Sequence, residues 1–484
     1  MLFWITLPVE IWLRISNSLA PRELANLCLA CSQLLSIARP ILYRDVTIRA
    51  ESDAEANWAA EDTFALLAQD EDLAQSVVDL TLNGQKECLE PEDEVPSLVH
   101  IEVVKNLKGL KRLTLIGPVF CEEDEETKDG FVEALHDLHI EELYIPPPGG
   151  FVLGLSAEQL ARITNLKSID CYADIDETDD FAPLFVSLLS SSLSTLTALY
   201  MSGGTHDNSL MLELFTLRFP LLRSLALDTW ELEMHSPRGF SDFLLAHNHN
   251  LEHLDMEYSR EDDTALVFDE SILIPDFLPA LRQFRGHTRN IEMMANAGMV
   301  CLANLTTLSV GTGGMHRRID ALNQMFNAIR TRMPLGRLRS LKWLDFDLFR
   351  WKENDRNEVP TFIRRWAEIC GLTLEIWRGL LPYVWSWSAE ELGDLFNPFA
   401  SLQVITIPQR SVSLGLWNPT EAMPELKGYV HTLAQKCDAL QVVWIYDLGS
   451  AENQCWKIER VPNSGLLVRC VWLTPPGPLF RSLT

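Results

Sequence analysis

Long apolar runs are absent from this sequence of 484 residues. No stretch approaches the roughly 18 consecutive apolar residues that a membrane-spanning helix needs. Residues 1–5 are apolar, but no basic segment precedes them, and the charged residues Glu10 and Arg14 come soon after them. A cleaved signal peptide is therefore not expected. The sequence predicts an intracellular protein, cytoplasmic or nuclear, with no membrane partner.

Positive charge is also scarce. The chain has 40 Lys and Arg residues against 68 Asp and Glu residues, and its formal net charge is −28. The first 50 residues carry +2, so the remainder carries −30. A chain this acidic repels a phosphate backbone unless its cations are strongly segregated. Nucleic acid is therefore not predicted as a partner.

The motifs of several common catalytic sites are missing. The sequence contains no HExxH, no Walker-type loop, no GxGxxG and no GxSxG. The pattern Gly-Thr-Gly-Gly at residues 311–314 follows a predicted strand and precedes Arg317 and Arg318, which suits an anion-binding nest. A tight strand-to-helix turn is favoured instead, because it needs glycine for backbone reasons alone. We predict that the protein is not an enzyme and binds no cofactor.

Side chains that could bind a metal do not form a complete ligand set in the sequence. Cys28 and Cys31 form a CxxC, but no second cysteine pair occurs at a zinc-like spacing. Most of the ten cysteines lie inside apolar runs, which is typical of reduced core residues. Two histidine pairs, at residues 136 and 139 and at residues 247 and 249, each lack an evident third ligand. No metal site is predicted.

The first fifty residues carry the pattern of three short helices. Ile11, Ile15 and Leu19 recur every fourth residue, Pro21 suits the start of a second helix, and a third is expected before Pro40. Three helices this short bury too little surface for independent stability. Their apolar surface therefore meets either another protein or the end of the following domain, as a helical cap.

Three motifs in this segment resemble the F-box. They are Leu-Pro-Val-Glu-Ile at residues 7–11, Ala-Pro-Arg-Glu-Leu at 20–24 and Arg-Pro-Ile-Leu-Tyr-Arg at 39–44. The resemblance covers about residues 5–46 and implies an all-α F-box domain at residues 1–50. It also implies a Skp-type adaptor as partner and, through it, a cullin-RING ubiquitin ligase of the SCF type. The adaptor-binding residues implied by the motifs are Leu7, Pro8, Ile11, Leu24 and Leu27.

An apolar pattern L-x-x-L-x-L recurs through the rest of the chain and predicts a short strand at each copy. Copies such as Leu110-Leu113-Leu115 and Leu341-Leu344-Phe346 begin 24 to 38 residues apart, except for one gap of 61 that a weak copy near residues 372–376 would fill. Helical segments lie between the strands. Residues 51–484 thus predict an irregular α/β solenoid that resembles leucine-rich-repeat domains. A hairpin at residues 455–461 and 466–473 is expected to cap its end.

Side chains between the core positions of these strands should line the exposed face of the sheet. The predicted strip is aromatic and mostly acidic, which suits a basic target segment. Its main target-binding candidates are Tyr200, Asp255, Glu257, Trp343, Asp345 and Asp347. The alternative for Asp255 is that it merely neutralises Arg285 on the next strand.

The sequence therefore predicts a non-catalytic substrate receptor of an SCF-type ubiquitin ligase, with an F-box that binds the adaptor and a solenoid that binds a target protein. The alternative is a scaffold protein that binds the adaptor without recruiting a ligase.

Overall fold

The structure is a computed structural model, and it describes seventeen stretches of the chain. They are residues 8–49, 54–84, 98–117, 119–120, 123–146, 154–172, 181–203, 212–229, 237–256, 268–311, 318–332, 335–343, 358–379, 387–408, 423–446, 454–461 and 465–472. The chain forms two compact units, residues 1–239 and 240–484. Within the stretches described, no helix is both long and apolar enough to cross a membrane.

The first unit opens with the three predicted helices, Val9–Ser16, Pro21–Ala30 and Ser32–Leu42. Pro21 occupies the first turn of the second helix, where its missing N–H is not needed. The Glu23 carboxylate accepts a hydrogen bond of 2.9 Å from the Ala20 backbone N–H, which satisfies a donor that the helix start leaves open. The third helix continues through Pro40 instead of ending before it.

Seven parallel strands come next in the first unit, and each pairs with its neighbour in chain order. Parallel neighbours need a crossover connection, and helices supply it. The strands are β1 (Asp45–Arg49), β2 (Asp79–Asn83), β3 (Arg112–Ile116), β4 (Glu142–Ile145), β5 (Ser168–Tyr172), β6 (Ala198–Gly203) and β7 (Ser224–Thr229). The helices are Ala54–Gln69, Glu71–Ser76, Ile101–Val104, Glu125–Leu138, Ala157–Arg162 and Phe181–Ser191.

The second unit repeats this arrangement and ends differently. Its first seven strands are parallel, and the last two form an antiparallel hairpin, as predicted. The strands are β8 (His253–Asp255), β9 (Gln283–His287), β10 (Thr307–Gly311), β11 (Ser340–Trp343), β12 (Ile376–Arg378), β13 (Val404–Pro408), β14 (Val442–Tyr446), β15 (Gln454–Val461) and β16 (Gly465–Trp472). The helices are Pro237–Ala246, Thr288–Asn296, Cys301–Asn304, Arg318–Arg332, Glu358–Cys370, Ala389–Phe396 and Met423–Lys436.

Both cores are built from the apolar positions of the repeat. Leu113 and Leu115 in the first unit are 0% and 1% exposed, and Leu308 and Val310 in the second unit are fully buried. Strand-and-helix repeats that pair with their neighbours in sequence order bury one continuous apolar layer, as in a solenoid. The mixed α/β class predicted from the sequence is therefore confirmed for each unit.

Strand β11 corrects the predicted register of one repeat. Its Leu341 pairs with Leu308 of β10 at the fourth position of the pattern, so the copy begins at Leu338 and not at Leu341. Leu338 and Leu341 are both fully buried. Trp343 then pairs with Val310, a core position. The register of this strand therefore differs from the predicted one by three residues, and the contact of Trp343 with a target stays a prediction.

Two further strands refine the predicted series. Strand β12 shows that a repeat fills the long gap, with Leu374 and Trp377 as its buried positions. Strand β1 precedes the first predicted copy and pairs in register with β2. Residues 45–49 therefore belong to the sheet of the first unit, while the predicted domain boundary at residue 50 stays a prediction.

Candidate functional site

The three-helix segment, residues 8–42, exposes an unusual amount of apolar surface. Its first helix buries Trp12 but leaves Val9, Ile11 and Leu13 between 39% and 49% exposed. Further along, Leu29 and Leu35 are 84% and 39% exposed. The first helix is thus apolar on more than the side that buries Trp12. Such surface commonly marks a protein-binding site.

A small core holds this segment together. Trp12 and Leu24 are 6% and 5% exposed, and Ala38 is fully buried. An ion pair of 2.8 Å between Arg39 Nη1 and Asp70 Oδ2 ties the third helix to residues of the first unit. This ion pair therefore joins the segment to the rest of the first unit without using its exposed apolar side chains.

The five predicted adaptor-binding residues lie in different environments. Leu7 lies outside the described residues, Pro8 is exposed directly before the first helix, and Ile11 is 39% exposed. Leu27 is half-buried, whereas Leu24 lies in the small core. The contact of Leu24 with an adaptor stays a prediction.

Val9 and Leu13 belong to the same apolar surface but were not predicted from the sequence. Their spacing of four residues places them on one side of the first helix. That spacing is the signal that could have identified them, since it marks a second apolar face beside the one that contains Ile11 and Ile15.

The second candidate surface is the open face of each sheet, which we define as the side carrying the positions that alternate with the core positions. Its central row comes from one residue of each parallel strand. In the first unit these residues are Thr47, Thr81, Thr114, Tyr144, Asp170, Tyr200 and Ala226. In the second unit they are Asp255, Arg285, Ser309, Lys342, Arg378, Thr406 and Trp444.

Charges on the open face of the first unit neutralise one another. Arg112 on β3 lies between its direct partners Asp79 on β2 and Glu142 on β4. Its guanidinium donates to Asp79 Oδ2 at 2.8 Å and to Glu142 Oε2 at 2.7 Å. The hydrogen bond with Glu142 raises the pKa of Arg112. Burial raises the pKa of Asp79, although the adjacent Arg112 cation opposes that shift.

Tyr200 and Asp255 lie on the open face, as predicted, and both have partners there. The Tyr200 hydroxyl forms a hydrogen bond of 2.9 Å with Ser224 Oγ on β7. Asp255 Oδ2 accepts a hydrogen bond of 3.1 Å from Arg285 Nη1 on the neighbouring strand. The alternative that Asp255 and Arg285 neutralise each other is confirmed. The candidates Glu257, Asp345 and Asp347 lie outside the described residues, so their contact with a target stays a prediction.

The corrected register brings together two cations that were not predicted as a pair. Lys342 of β11 and Arg378 of β12 are direct partners on adjacent strands. Arg378 is half-buried, and burial lowers the pKa of its guanidinium. The signal in the sequence was the copy that begins at Leu338, since it places residue 342 directly after the core position 341.

Two cysteines and one histidine that could in principle carry covalent or metal chemistry are buried in the second unit. Burial raises the pKa of the Cys301 and Cys370 thiols to about 12, which suppresses the nucleophilic thiolate. His247 is buried, and its Nδ1 lies 2.7 Å from the Phe243 carbonyl oxygen. The described part of the chain contains no group of three potential metal ligands. Residues 312–317, which include most of the glycine-rich turn, lie outside that part.

A cavity in the second unit has a volume of about 590 Å³. Its lining includes Glu375, Ser401, Gln403, Asp438, Gln441 and Arg460. The Arg460 guanidinium donates to the backbone carbonyls of Ala434, Cys437 and Leu440 at 2.6 to 2.9 Å. It therefore satisfies carbonyls that the helix Met423–Lys436 leaves open at its end. This role of Arg460 is structural.

Comparisons with known proteins do not assign this chain to a family. No protein-family model matches the sequence, and no curated protein matches it. The crystal structure of the Rad7 and Elc1 complex in yeast is similar at 15% identity and a TM-score of 0.41, covering 85% of this chain and 91% of that chain. The leucine-rich-repeat-containing protein LegL7 from Legionella pneumophila is similar at 14% identity and a TM-score of 0.39, covering 60% and 87%. TM-scores this low establish neither a common fold nor a common function.

Proposed function

We propose that this chain is a substrate-receptor subunit of an SCF-type ubiquitin ligase. The three-helix segment binds a Skp-type adaptor, and the open face of the sheets holds a target protein. The observation that carries the proposal is the apolar surface of residues 8–42, which coincides with the motifs that resemble the F-box. Among the described residues, large apolar side chains that are this exposed are sparser elsewhere in the chain.

Burial of this surface supplies the affinity in the proposed complex. Each square ångström of apolar surface removed from water contributes roughly 25 cal/mol, so covering a few of these side chains contributes several kcal/mol. Pro8, Ile11 and Leu27 contribute contact area, together with Leu7 at the start of the motif. Leu24 is buried, so its proposed role is to support the second helix from inside the segment.

The proposed role needs no catalytic residue in this chain. A substrate receptor brings a target close to a ligase that carries the chemistry, so affinity for two partners is sufficient. Target contacts are assigned to the open face, where Tyr200 and Asp255 lie. Within each unit its side chains come from successive parallel strands, an arrangement that suits an extended partner.

Replacing Ile11 by Glu tests the adaptor site. A carboxylate buried in an apolar interface costs several kcal/mol, which is enough to abolish a micromolar complex. The matched control is Leu245→Glu in the helix Pro237–Ala246, because Leu245 is 41% exposed and Ile11 is 39% exposed. We expect co-purification of the adaptor with the Leu245 variant and not with the Ile11 variant.

The same co-purification separates the substrate receptor from the scaffold alternative. Recovery of a cullin together with the adaptor supports the receptor, whereas recovery of the adaptor alone indicates a scaffold. Undiminished adaptor binding by the Ile11→Glu variant, with its folding unchanged by circular dichroism, would contradict the F-box assignment.

A further inference from the structure

The open face of the second unit contains two cations at one level of the sheet. Lys342 and Arg378 are register partners, and Thr406 of β13 lies opposite Arg378 on its other side. Adjacent strands are about 4.8 Å apart, so the two positively charged side chains start from neighbouring backbone positions. Lys342 has a further interaction of its own, so Arg378 is the cation whose lack of compensation favours a bound anion.

Arg378 lacks the compensation that Arg112 has. Among the residues described, Arg378 forms no hydrogen bond and no ion pair, whereas Arg112 bridges two carboxylates on its neighbouring strands. Arg378 is also half-buried, and that burial lowers the pKa of its guanidinium. A guanidinium that has lost part of its hydration without gaining a partner gains the most from an incoming anion.

The neighbouring strands offer no carboxylate to Arg378. The described strands β8–β14 contain one acidic residue, Asp255, and it is already paired with Arg285. Two residues earlier, the same face of β11, β12 and β13 carries Ser340, Ile376 and Val404, which are all uncharged. The cationic character of this surface therefore comes from the placement of side chains within the sheet.

The second unit as a whole is also much less acidic than the first. Residues 240–484 contain 24 Lys and Arg residues and 28 Asp and Glu residues, a net charge of −4, which leaves −24 for residues 1–239. An anionic ligand is repelled by the first unit and meets a nearly balanced second unit. Long-range repulsion thus favours approach to the second unit over the first.

We propose that the open face around Lys342 and Arg378 binds an acidic segment of a target protein through its Asp or Glu carboxylates. The hydroxyl group of Thr406, on the flanking strand β13, supplies further hydrogen-bonding capacity. This inference rests on the proposed function for the identity of the ligand as a protein target, and it replaces the basic target segment expected from the sequence. The surface for an acidic segment itself does not depend on the adaptor.

The test is binding of a short fluorescein-labelled peptide of alternating Glu and Gly to the full-length protein, measured by anisotropy at low and raised salt. An all-Gln counterpart and a Lys-Gly counterpart serve as comparison probes. Losing a charge-assisted hydrogen bond weakens binding by about tenfold. We therefore expect Arg378→Gln and Lys342→Gln each to weaken the Glu-Gly complex by about tenfold, and Arg378→Lys to retain most of the affinity.

Arg339→Gln is the matched control, because it removes the same charge just before β11 at a side chain that is 68% exposed and pairs with Glu375. We expect it to change affinity by less than about twofold. The proposal is overturned if the wild-type protein prefers the Lys-Gly peptide, if Arg378→Gln and Arg339→Gln behave alike, or if a single-stranded oligonucleotide binds as tightly as the Glu-Gly peptide. Adaptor co-purification with Arg378→Gln, expected to be unchanged, distinguishes failure of this site from failure of the proposed function.

Discussion

The two units share one backbone plan and differ in the charges on their open faces. In the first unit Arg112 is held between Asp79 and Glu142, whereas in the second unit Arg378 has Lys342 and Thr406 as its strand partners. Both arrangements use the same alternation of core and open-face positions. The apolar layer therefore specifies the repeat, while the open-face side chains are free to vary and to acquire a binding role.

The largest loss of stability should come from truncating a core side chain, and it should be similar in the two units because both build their cores from the same repeat. Trp377 is fully buried and packs edge-on against Phe396 and Phe399, at centroid distances of 5.2 and 5.5 Å. Truncating a buried aromatic side chain costs about 3–5 kcal/mol. We expect Trp377→Ala in the second unit and Phe131→Ala in the first unit to destabilise their own units by similar amounts. Native-state hydrogen exchange, which reports local unfolding, measures each unit separately.

Leu372→Ala is the control for this measurement, because Leu372 is 80% exposed and its loss should change protection by less than about 0.5 kcal/mol. If the Trp377 variant lost no more protection than the Leu372 variant, the aromatic cluster would not support the second unit.

A smaller effect should result from breaking the neutralised face of the first unit. Arg112→Met leaves Asp79 and Glu142 without their cation, and we expect a loss of about 1 kcal/mol, since the Arg112 side chain is 43% exposed and the pairs are partly screened. Urea unfolding of the variant and of Lys105→Met, an exposed control directly after the helix Ile101–Val104, measures the difference.

The loss caused by Arg112→Met should depend on pH. The pKa of Asp79 is already raised in the folded protein, mainly by burial, so folding opposes its ionisation and this cost is present above that pKa. Removing Arg112 raises the pKa further and increases the cost at neutral pH. As the pH falls and Asp79 becomes protonated, the gap in unfolding free energy between variant and wild type should narrow. A gap that widened in acid would contradict this explanation.

The smallest effect should come from removing one negative charge from the open face of the second unit. Asp255→Asn removes the one carboxylate of strands β8–β14 and leaves Arg285 without the ion pair that Asp255 provides. One added unit charge about three strand spacings from Lys342 should tighten binding of the Glu-Gly peptide by about twofold at low salt. Anisotropy titration measures it, with Glu368→Gln on the helix Glu358–Cys370 as a control of equal charge change. Equal gains from both variants would mean that net charge, and not the open face, governs binding.

The register of a repeat was predictable where only one copy of the pattern L-x-x-L-x-L fits the sequence. Leu110, Leu113 and Leu115 offer a single way to form a half-buried strand, and β3 forms there. Near residue 340 two copies overlap, one beginning at Leu338 and one at Leu341, and both satisfy the alternation. Only pairing with β10 selects between them, since it aligns Leu341 with the fully buried Leu308. Register is a property of two strands, so one strand's sequence cannot specify it.

Some features of the candidate surfaces were also predictable from the sequence, and others depend on the tertiary structure. The three short helices and the motifs that resemble the F-box are local, and they were predicted from spacing alone. The burial of Leu24 and the exposure of Val9 and Leu13 depend on how the three helices pack, which helical periodicity does not determine.

By itself, the sequence determined the alternation of strands and helices, the three-helix segment and the closing hairpin, because periodicity and turn residues act over a few neighbouring positions. Tertiary structure alone decided that Arg112 meets two carboxylates and that Lys342 meets Arg378, because these partners are about 30 residues or more apart in sequence and only the pairing of adjacent strands brings them together.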